Sequence, residues 1–204
     1  MIERRSLPIG LYDNVIEAGC DEAGRGCLAG PVFAAAVILP SDFQNEELND
    51  SKKLSPRKRY ELRTIIEREA LAYAVATSSV DEVDEMNVLW ASVKAMHRAL
   101  RGLSICPEHI LVDGNHFLPF KEISHTCVVR GDGKYLSIAA ASILAKTYRD
   151  DYMAELHEEY PEYDWKQNKG YPTRLHRAAI ELHGVTDHHR KSFKIQGDQL
   201  KLKF

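Results

Sequence analysis

Two adjacent carboxylates, Asp21 and Glu22, stand just before the tripeptide Gly24-Arg25-Gly26. Carboxylate oxygens are the ligands that Mg²⁺ and Mn²⁺ prefer in proteins. A glycine-flanked turn exposes backbone N–H groups, and its guanidinium can bind a phosphate or a sugar. These residue types at this spacing are typical of a metal-assisted phosphodiester site.

The apolar runs on either side of the acidic pair indicate how it is positioned. Residues 15–20 lean apolar, and residues 32–39 are apolar throughout. An adjacent Asp-Glu pair usually belongs to a solvated loop, but these two runs predict two strands joined as a hairpin. The acids then lie at the end of the first strand.

Two more acids stand next to glycines further along the chain. Asp113 follows the apolar run 110–112 and precedes Gly114, whereas Asp132 lies between two glycines. Open α/β sheets place their ligands at the carboxyl ends of strands, so Asp113 is a candidate site residue. A turn-forming Asp before Gly is an equally ordinary interpretation, and Asp113 alone decides nothing.

A series of motifs resembles the type 2 ribonucleases H, the ribonuclease HII family of bacteria. The motifs stand in the family's order at residues 19–32, 49–55, 83–89, 111–115, 131–132, 137–146 and 169–171. The resemblance implies the ribonuclease H fold. It also implies an endonuclease that hydrolyses the RNA strand of RNA–DNA hybrids and cuts at ribonucleotides embedded in duplex DNA, leaving 3′-OH and 5′-phosphate ends.

The same resemblance implies a catalytic and metal-binding set of four acids, Asp21, Glu22, Asp113 and Asp132. Unit charges about 4 Å apart repel by roughly 4 kcal/mol at an effective dielectric near 20, so such a cluster calls for divalent cations. We therefore expect two Mg²⁺ or Mn²⁺ ions during catalysis, as in the two-metal mechanism. Because successive strand residues point to opposite faces, Glu22 needs a bulge, a backbone-carbonyl contact or a strand end to share the site.

Selection of RNA over DNA depends on the 2′-OH, which is both a donor and an acceptor. Residues Gly24, Arg25 and Gly26 can approach this group closely, since glycine lacks a Cβ. In the family this segment and the position of Tyr171 read the ribonucleotide and its DNA neighbour, although a tyrosine in a surface loop is the simpler interpretation. Weaker candidates for phosphate binding or support are Lys52, Lys53, Ser142, Lys146 and Lys169.

Two other functional classes compete with the nuclease. A catalytically silent module that binds RNA–DNA hybrids would need the same surface, but the intact carboxylates disfavour it. A nucleotide-binding enzyme would use the glycines of residues 24–30 as a phosphate loop, but Pro31 and the strand-like run after it oppose the required helix start.

Composition predicts one compact domain over residues 1–204. The chain is 44% hydrophobic and 28% charged, enough for a substantial core. A net charge of −3 argues against a general DNA coat protein. Neither a signal peptide nor a membrane span is evident, and the four cysteines lack C-x-x-C spacing, so we expect a cytoplasmic monomer with reduced thiols. Most histidines are expected at the surface.

The predicted fold is α/β, with a mixed central sheet flanked by helices and a helical C-terminal segment. Two hairpin strands come first. Helices are expected from Ser55-Pro56 to about residue 69, over 88–103 and over 137–160, and strands over 71–80, 109–114 and 123–129. Residues 161–204 are expected to form a C-terminal segment that contacts the substrate.

The tail 199–204 combines a glutamine with spaced leucines and a terminal aromatic residue. It resembles the short peptides that dock into the replication sliding clamp of bacteria. An edge strand or a frayed terminus is the simpler interpretation. Docking through Gln199 to Phe204 would connect the nuclease to replicated DNA.

Overall fold

A five-stranded mixed sheet forms the centre of the protein, for which the computed structural model describes residues 7–48 and 54–194. The strands are β1 (Glu17–Ala23), β2 (Val32–Ile38), β3 (Ala72–Ser78), β4 (His109–Asp113) and β5 (Ser124–Val128). Their order is β3-β2-β1-β4-β5. The first three strands in that order are antiparallel, whereas β1, β4 and β5 run parallel, so the carboxyl ends of β1 and β4 share one edge.

Helices cover both faces of the sheet. Those packed on the sheet are α1 (Pro56–Glu69), α2 (Val80–Gly102) and α3 (Leu136–Glu159), whereas α4 (Trp165–Asn168) and α5 (Arg174–His183) belong to the C-terminal part. One core lies between the sheet and α1 and α3, and a second lies between the sheet and α2. This confirms the predicted α/β architecture, including its helical C-terminal part.

The start of α2 differs from the prediction by eight residues. The apolar period begins at Val88, but the helix begins at Val80, where Ser79 and Glu82 form a reciprocal capping box. Between the two points the backbone kinks at Asn87, with φ 67° and ψ 163°. The kink explains why the periodic pattern starts only after it.

Helix α3 lies unusually close to β1 at Gly19. A Cβ atom at this position would come within 2.2 Å of the backbone carbonyl carbon of Ser137. Alternation along β1 turns Ala18 and Cys20 towards the α2 core, which leaves Gly19 and Asp21 on the α3 side. The missing side chain at Gly19 therefore lets α3 approach the acidic end of β1.

Three of the nine histidines are exceptions to the expectation that most lie at the surface. His109, His176 and His189 are buried, with 5%, 0% and 0% of their surface exposed. Each ring is enclosed because its nitrogens have hydrogen-bond partners, which removes the usual cost of burying an imidazole.

In the described part of the chain, each helix is too short or too polar to cross a bilayer.

Candidate active site

A cleft of about 250 Å³ opens at the edge where β1 and β4 end. It gathers acids from the strands, the glycine-flanked arginine, and polar or basic groups from three other segments. Its lining consists of Asp21, Glu22, Ala23, Gly24, Arg25, Gly26, Arg59, Asp113, Ser142, Lys146 and Tyr171. Of the nine predicted substrate-binding residues, six line this cleft: Gly24, Arg25, Gly26, Ser142, Lys146 and Tyr171.

Asp21 is the most enclosed acid of the cleft, with 4% of its surface exposed. Burial raises the pKa of its carboxyl well above the ordinary value, and the charges of Glu22 and Asp113 raise it further. Hydrogen bonds from the Ser142 hydroxyl and from the Glu22 backbone N–H, at 2.7 Å, act in the opposite direction. Hydrogen-bond donors therefore orient the Asp21 carboxylate, while neighbouring carboxylates repel it. A bound cation would relieve this repulsion.

Glu22 shares the cleft because β1 ends there. The register of β1 against β2 continues without a bulge through Asp21, Glu22 and Ala23, and Glu22 is the second-last residue of the strand. Its carboxylate accepts a hydrogen bond from Arg25 Nη1 at 3.1 Å. The structure therefore has no bulge at Glu22 and places this residue near the strand end.

Asp113 is the last residue of β4, and its Oδ1 accepts a hydrogen bond from the Gly131 N–H at 2.6 Å. This bond fixes the segment that carries Asp132 beside the cleft. Asp132 is 4% exposed and lies in a short 3₁₀ turn over Gly131–Gly133, outside the set of residues that line the cleft. Its role as a fourth ligand stays a prediction.

Two buried arginines hold residues 24–31, and we call Arg149 and Arg190 the guanidinium clamp. Arg190 donates from Nη1 to the Arg25 carbonyl at 2.9 Å and from Nη2 to the Gly30 carbonyl at 2.8 Å. Arg149 donates to the carbonyls of Ala29 and Pro31 at 3.0 and 3.1 Å. The guanidinium clamp thus satisfies backbone carbonyls of the loop that joins β1 to β2.

Tyr171 closes the cleft from the C-terminal segment. It is 41% exposed, and a Cβ on Gly26 would lie 3.9 Å from its ring. Its phenol is hydrogen-bonded to the Cys27 thiol, and burial raises the pKa of this phenol. The accessible ring therefore faces the Gly24–Gly26 turn across the opening.

The predicted lysines differ in their placement. Lys146 lines the cleft and pairs with Asp150 one helical turn away. Lys169 lies outside the lining and donates from Nζ to the Asp150 carbonyl at 3.2 Å. Lys52 and Lys53 fall outside the described residues.

Arg59 and the guanidinium clamp are site features that the sequence reasoning did not assign. Arg59 comes from α1 and donates from Nη1 to the Leu54 carbonyl at 2.7 Å. It belongs to a basic run, residues 57–59, which was a usable signal. Arg149 and Arg190 had no such signal, since an arginine in a helix or before a lysine is ordinarily solvated.

A second, wider depression of about 680 Å³ lies at the opposite edge of the sheet, around His109. Glu108 is its one acidic lining residue, and both ring nitrogens of His109 are engaged by Ser124 and Thr126. Despite its larger volume, this depression lacks the clustered carboxylates of the first cleft. The first cleft is therefore the better candidate for phosphodiester chemistry.

Comparison with known sequences gives a consistent result. The family model described as "Ribonuclease HII" matches residues 18–196. A ribonuclease HII of Parabacteroides distasonis is 67% identical over 189 residues, covering 93% of this chain and 95% of the relative. A ribonuclease HII of Bacteroides thetaiotaomicron is 65% identical over 195 residues, covering 95% and 98%.

Solved structures with the same fold include ribonuclease H2 from Pyrococcus horikoshii OT3. It superposes with a TM-score of 0.72 at 27% identity and covers 88% of this chain and 94% of that one. The ribonuclease HII of Archaeoglobus fulgidus, solved as a complex with PCNA, has a TM-score of 0.72 at 25% identity, with 91% and 98% covered.

Proposed function

The chain belongs to the ribonuclease HII family and is an endoribonuclease of the ribonuclease H type; we propose that it cuts RNA–DNA hybrids and ribonucleotides embedded in duplex DNA. One observation carries this proposal. The carboxylates of Asp21, Glu22 and Asp113 line the same cleft as Tyr171 and the Gly24–Gly26 turn, so groups suited to hydrolysis and to sugar recognition share one opening.

Divalent cations fit the donor set of this cleft. Asp21, Glu22 and Asp113 would hold them, with Asp132 as a fourth candidate, because all offer hard oxygen ligands of the kind Mg²⁺ and Mn²⁺ prefer. Within residues 7–48 and 54–194, no group of three or more His, Cys, Asp or Glu side chains is yet placed to hold one ion, so the case for a cation rests on the donor chemistry and the charge of the cleft. The raised pKa of Asp21 supports binding, since burial and like charges both penalise its ionised form without a counter-charge. When bound, two such ions would activate water and neutralise charge on the phosphate.

The protein's own residues bind and orient the substrate. Arg25, Arg59 and Lys146 bring positive charge to a cleft that also contains three acids, which suits a phosphodiester backbone. Ser142 and the Glu22 N–H hold the Asp21 carboxylate in place. The product ends we propose are 3′-OH and 5′-phosphate.

A cleavage assay tests this function. A DNA duplex with one ribonucleotide should be cut in the presence of Mg²⁺ or Mn²⁺ and stay intact in EDTA. Binding without cleavage at any metal concentration would instead favour the catalytically silent hybrid-binding module. Comparing the two metals in the same assay also identifies the preferred ion.

Tyr171 provides a second test through stacking. Tyr171→Ala should slow cleavage at a single ribonucleotide by about 5- to 150-fold, since stacking on an aromatic ring is worth about 1 to 3 kcal/mol. Tyr171→Phe keeps the ring and should stay within about 5-fold of wild type. Steady-state kcat and KM for both variants give the result. Equal losses in both would assign the effect to the hydroxyl and its Cys27 contact.

We propose a monomer that acts in the cytoplasm, as one domain whose residues 161–204 contact the substrate; the position of Tyr171 in the cleft supports the last point. The hypothesis of docking to the replication sliding clamp concerns Gln199 to Phe204, which lie outside the described residues. It gains support from the PCNA complex of the archaeal relative.

A further inference from the structure

A buried aromatic cluster lies behind Tyr171 in the C-terminal segment. Tyr163, Trp165, His176 and His189 are 2%, 0%, 0% and 0% exposed. The rings of Tyr163 and Trp165 stack with centroids 5.0 Å apart, and the edge of Tyr163 meets the ring of His189 at 4.9 Å. At the centre, His176 Nε2 and His189 Nε2 lie 3.3 Å apart. Two buried imidazoles are thus directly hydrogen-bonded.

The partners of the two rings determine where the protons are. The Trp165 indole N–H can only donate, and it points at His176 Nε2 at 3.0 Å. The Thr186 backbone N–H can only donate, and it points at His189 Nδ1 at 3.0 Å. His189 therefore carries its proton on Nε2 and donates to His176 Nε2, and His176 carries its own on Nδ1.

Both rings are neutral in this arrangement. A second proton on His176 would sit on Nε2, facing the N–H groups of Trp165 and His189. A second proton on His189 would sit on Nδ1, facing the backbone N–H of Thr186. Burial lowers the pKa of His176, and burial together with the nearby His176 and His188 lowers the pKa of His189 to about 4. The Trp165 N–H also occupies the space between the rings, which disfavours a metal ion there.

Each imidazole belongs to a segment that holds one side of the cleft. The His176 Nδ1–H donates to the Tyr171 carbonyl at 2.9 Å. His189 forms a β-bridge with Ala29. Next to this bridge, the Gly30 N–H donates to the His188 carbonyl at 2.8 Å. The Leu28 N–H donates directly to the Gly170 carbonyl at 2.8 Å, and the hydrogen bond between the rings adds a second connection between the backbone of Tyr171 and the loop that carries Gly24–Gly26.

We propose that His176 and His189 are positioning residues that set the separation between Tyr171 and the Gly24–Gly26 turn, and thereby the affinity for a single embedded ribonucleotide. This rests on the proposed function, in which these two elements read the sugar from opposite sides. Neither imidazole lines the cleft, so both act through the backbone segments they hold.

Two conservative substitutions each remove one hydrogen bond of this path. His189→Asn keeps an acceptor for the Thr186 N–H but loses the donor to His176. His176→Gln keeps an acceptor for Trp165 but loses the donor to the Tyr171 carbonyl. We expect KM for a duplex with one ribonucleotide to rise about 3- to 10-fold, the scale of one net hydrogen bond, with kcat changed less. His183→Asn, at an exposed histidine of α5, is the matched control.

A double-mutant cycle distinguishes positioning from general stability. If the pair acts through Tyr171, adding His189→Asn to Tyr171→Ala should raise KM by much less than it does in wild type. A ¹⁵N spectrum of histidine-labelled protein should show unprotonated Nε2 in His176 and unprotonated Nδ1 in His189.

Additive KM effects, a fall in kcat alone, or the opposite tautomers would each overturn the proposal. An unchanged rate in Tyr171→Ala itself, or absence of cleavage by the wild type, would instead count against the proposed function. Melting temperatures of all variants, measured in parallel, show whether a variant is folded. A destabilised variant is then assayed below its own transition.

Discussion

Asp21→Asn and Asp113→Asn should each lower kcat by about 10³-fold or more, the order seen when one member of a catalytic set that acts as a unit is removed. Both substitutions remove the charge of a proposed metal ligand at the edge where β1 and β4 end, and both keep the shape of the side chain. Hybrid binding should persist, because Arg25, Arg59 and Lys146 remain in the cleft. Paired cleavage and binding assays at saturating metal measure the two effects separately.

The same substitution at Asp21 should stabilise the protein when metal is withheld. Its folded-state pKa is raised well above the ordinary value of 3.8, so the protonated carboxyl stabilises the fold below that pH, and this contribution is lost as the pH rises through the folded-state pKa. Asn removes the charge, and the melting temperature in EDTA should rise. Addition of Mn²⁺ should then raise the melting temperature of wild type more than that of the variant.

Asp42→Asn is the matched control, since Asp42 is exposed and stands outside the cleft. It should leave both kcat and the metal-dependent rise in melting temperature unchanged. Turnover near wild type in Asp21→Asn or Asp113→Asn would show that the metal centre has been assigned to the wrong acids.

Replacing the single ribonucleotide with its deoxy or 2′-methoxy analogue should abolish detectable cleavage. The deoxy sugar removes the one group that distinguishes RNA from DNA, and the methoxy group occupies the space needed for close approach of the Gly24–Gly26 turn. A site built to bind a hydroxyl rejects an analogue that lacks it by about 10⁴-fold, because its own polar groups are left unpaired.

The 2′-methoxy duplex also serves as a competitor in this experiment. If the 2′-methoxy duplex binds but is not cut, the enzyme distinguishes the sugar at the catalytic step. If the duplex does not bind, the enzyme distinguishes the sugar when it binds the substrate. Equal rates on the ribo and deoxy duplexes would show that the sugar does not determine specificity. A duplex with the ribonucleotide moved by several base pairs controls for sequence context.

Local patterns predicted the strands and the acids they carry. The apolar runs before Asp21 and Asp113 placed both residues at strand ends, and parallel pairing of β1 with β4 then brings them together. The cap at Ser55 and the proline after it predicted the start of α1 correctly. These features depend on neighbours within a few residues, which is the range over which sequence patterns are informative.

Features that depend on distant partners were not predictable in this way. The Arg190 side chain is buried only because carbonyls of residues 25 and 30 accept its hydrogen bonds, and those residues lie 165 and 160 positions away. The histidine pair is similar: His176 and His189 each look like a surface residue until Trp165 and Thr186 are placed around them. The predicted start of α2 was wrong for a different, local reason. The kink at Asn87 shifts the apolar face, so the periodic pattern begins only after it.

The guanidinium clamp also has a consequence for when the enzyme becomes competent during its synthesis. A ribosome adds roughly 5 to 20 residues per second, so the 165 residues between Arg25 and Arg190 take about 8 to 33 s to appear. During that interval the β1–β2 hairpin can form, but the carbonyls of Arg25 and Gly30 still lack their guanidinium partner. The loop that we propose reads the sugar is therefore among the last parts to be fixed, and a nascent chain that already carries Asp21 and Asp113 still lacks the bonds that position this loop.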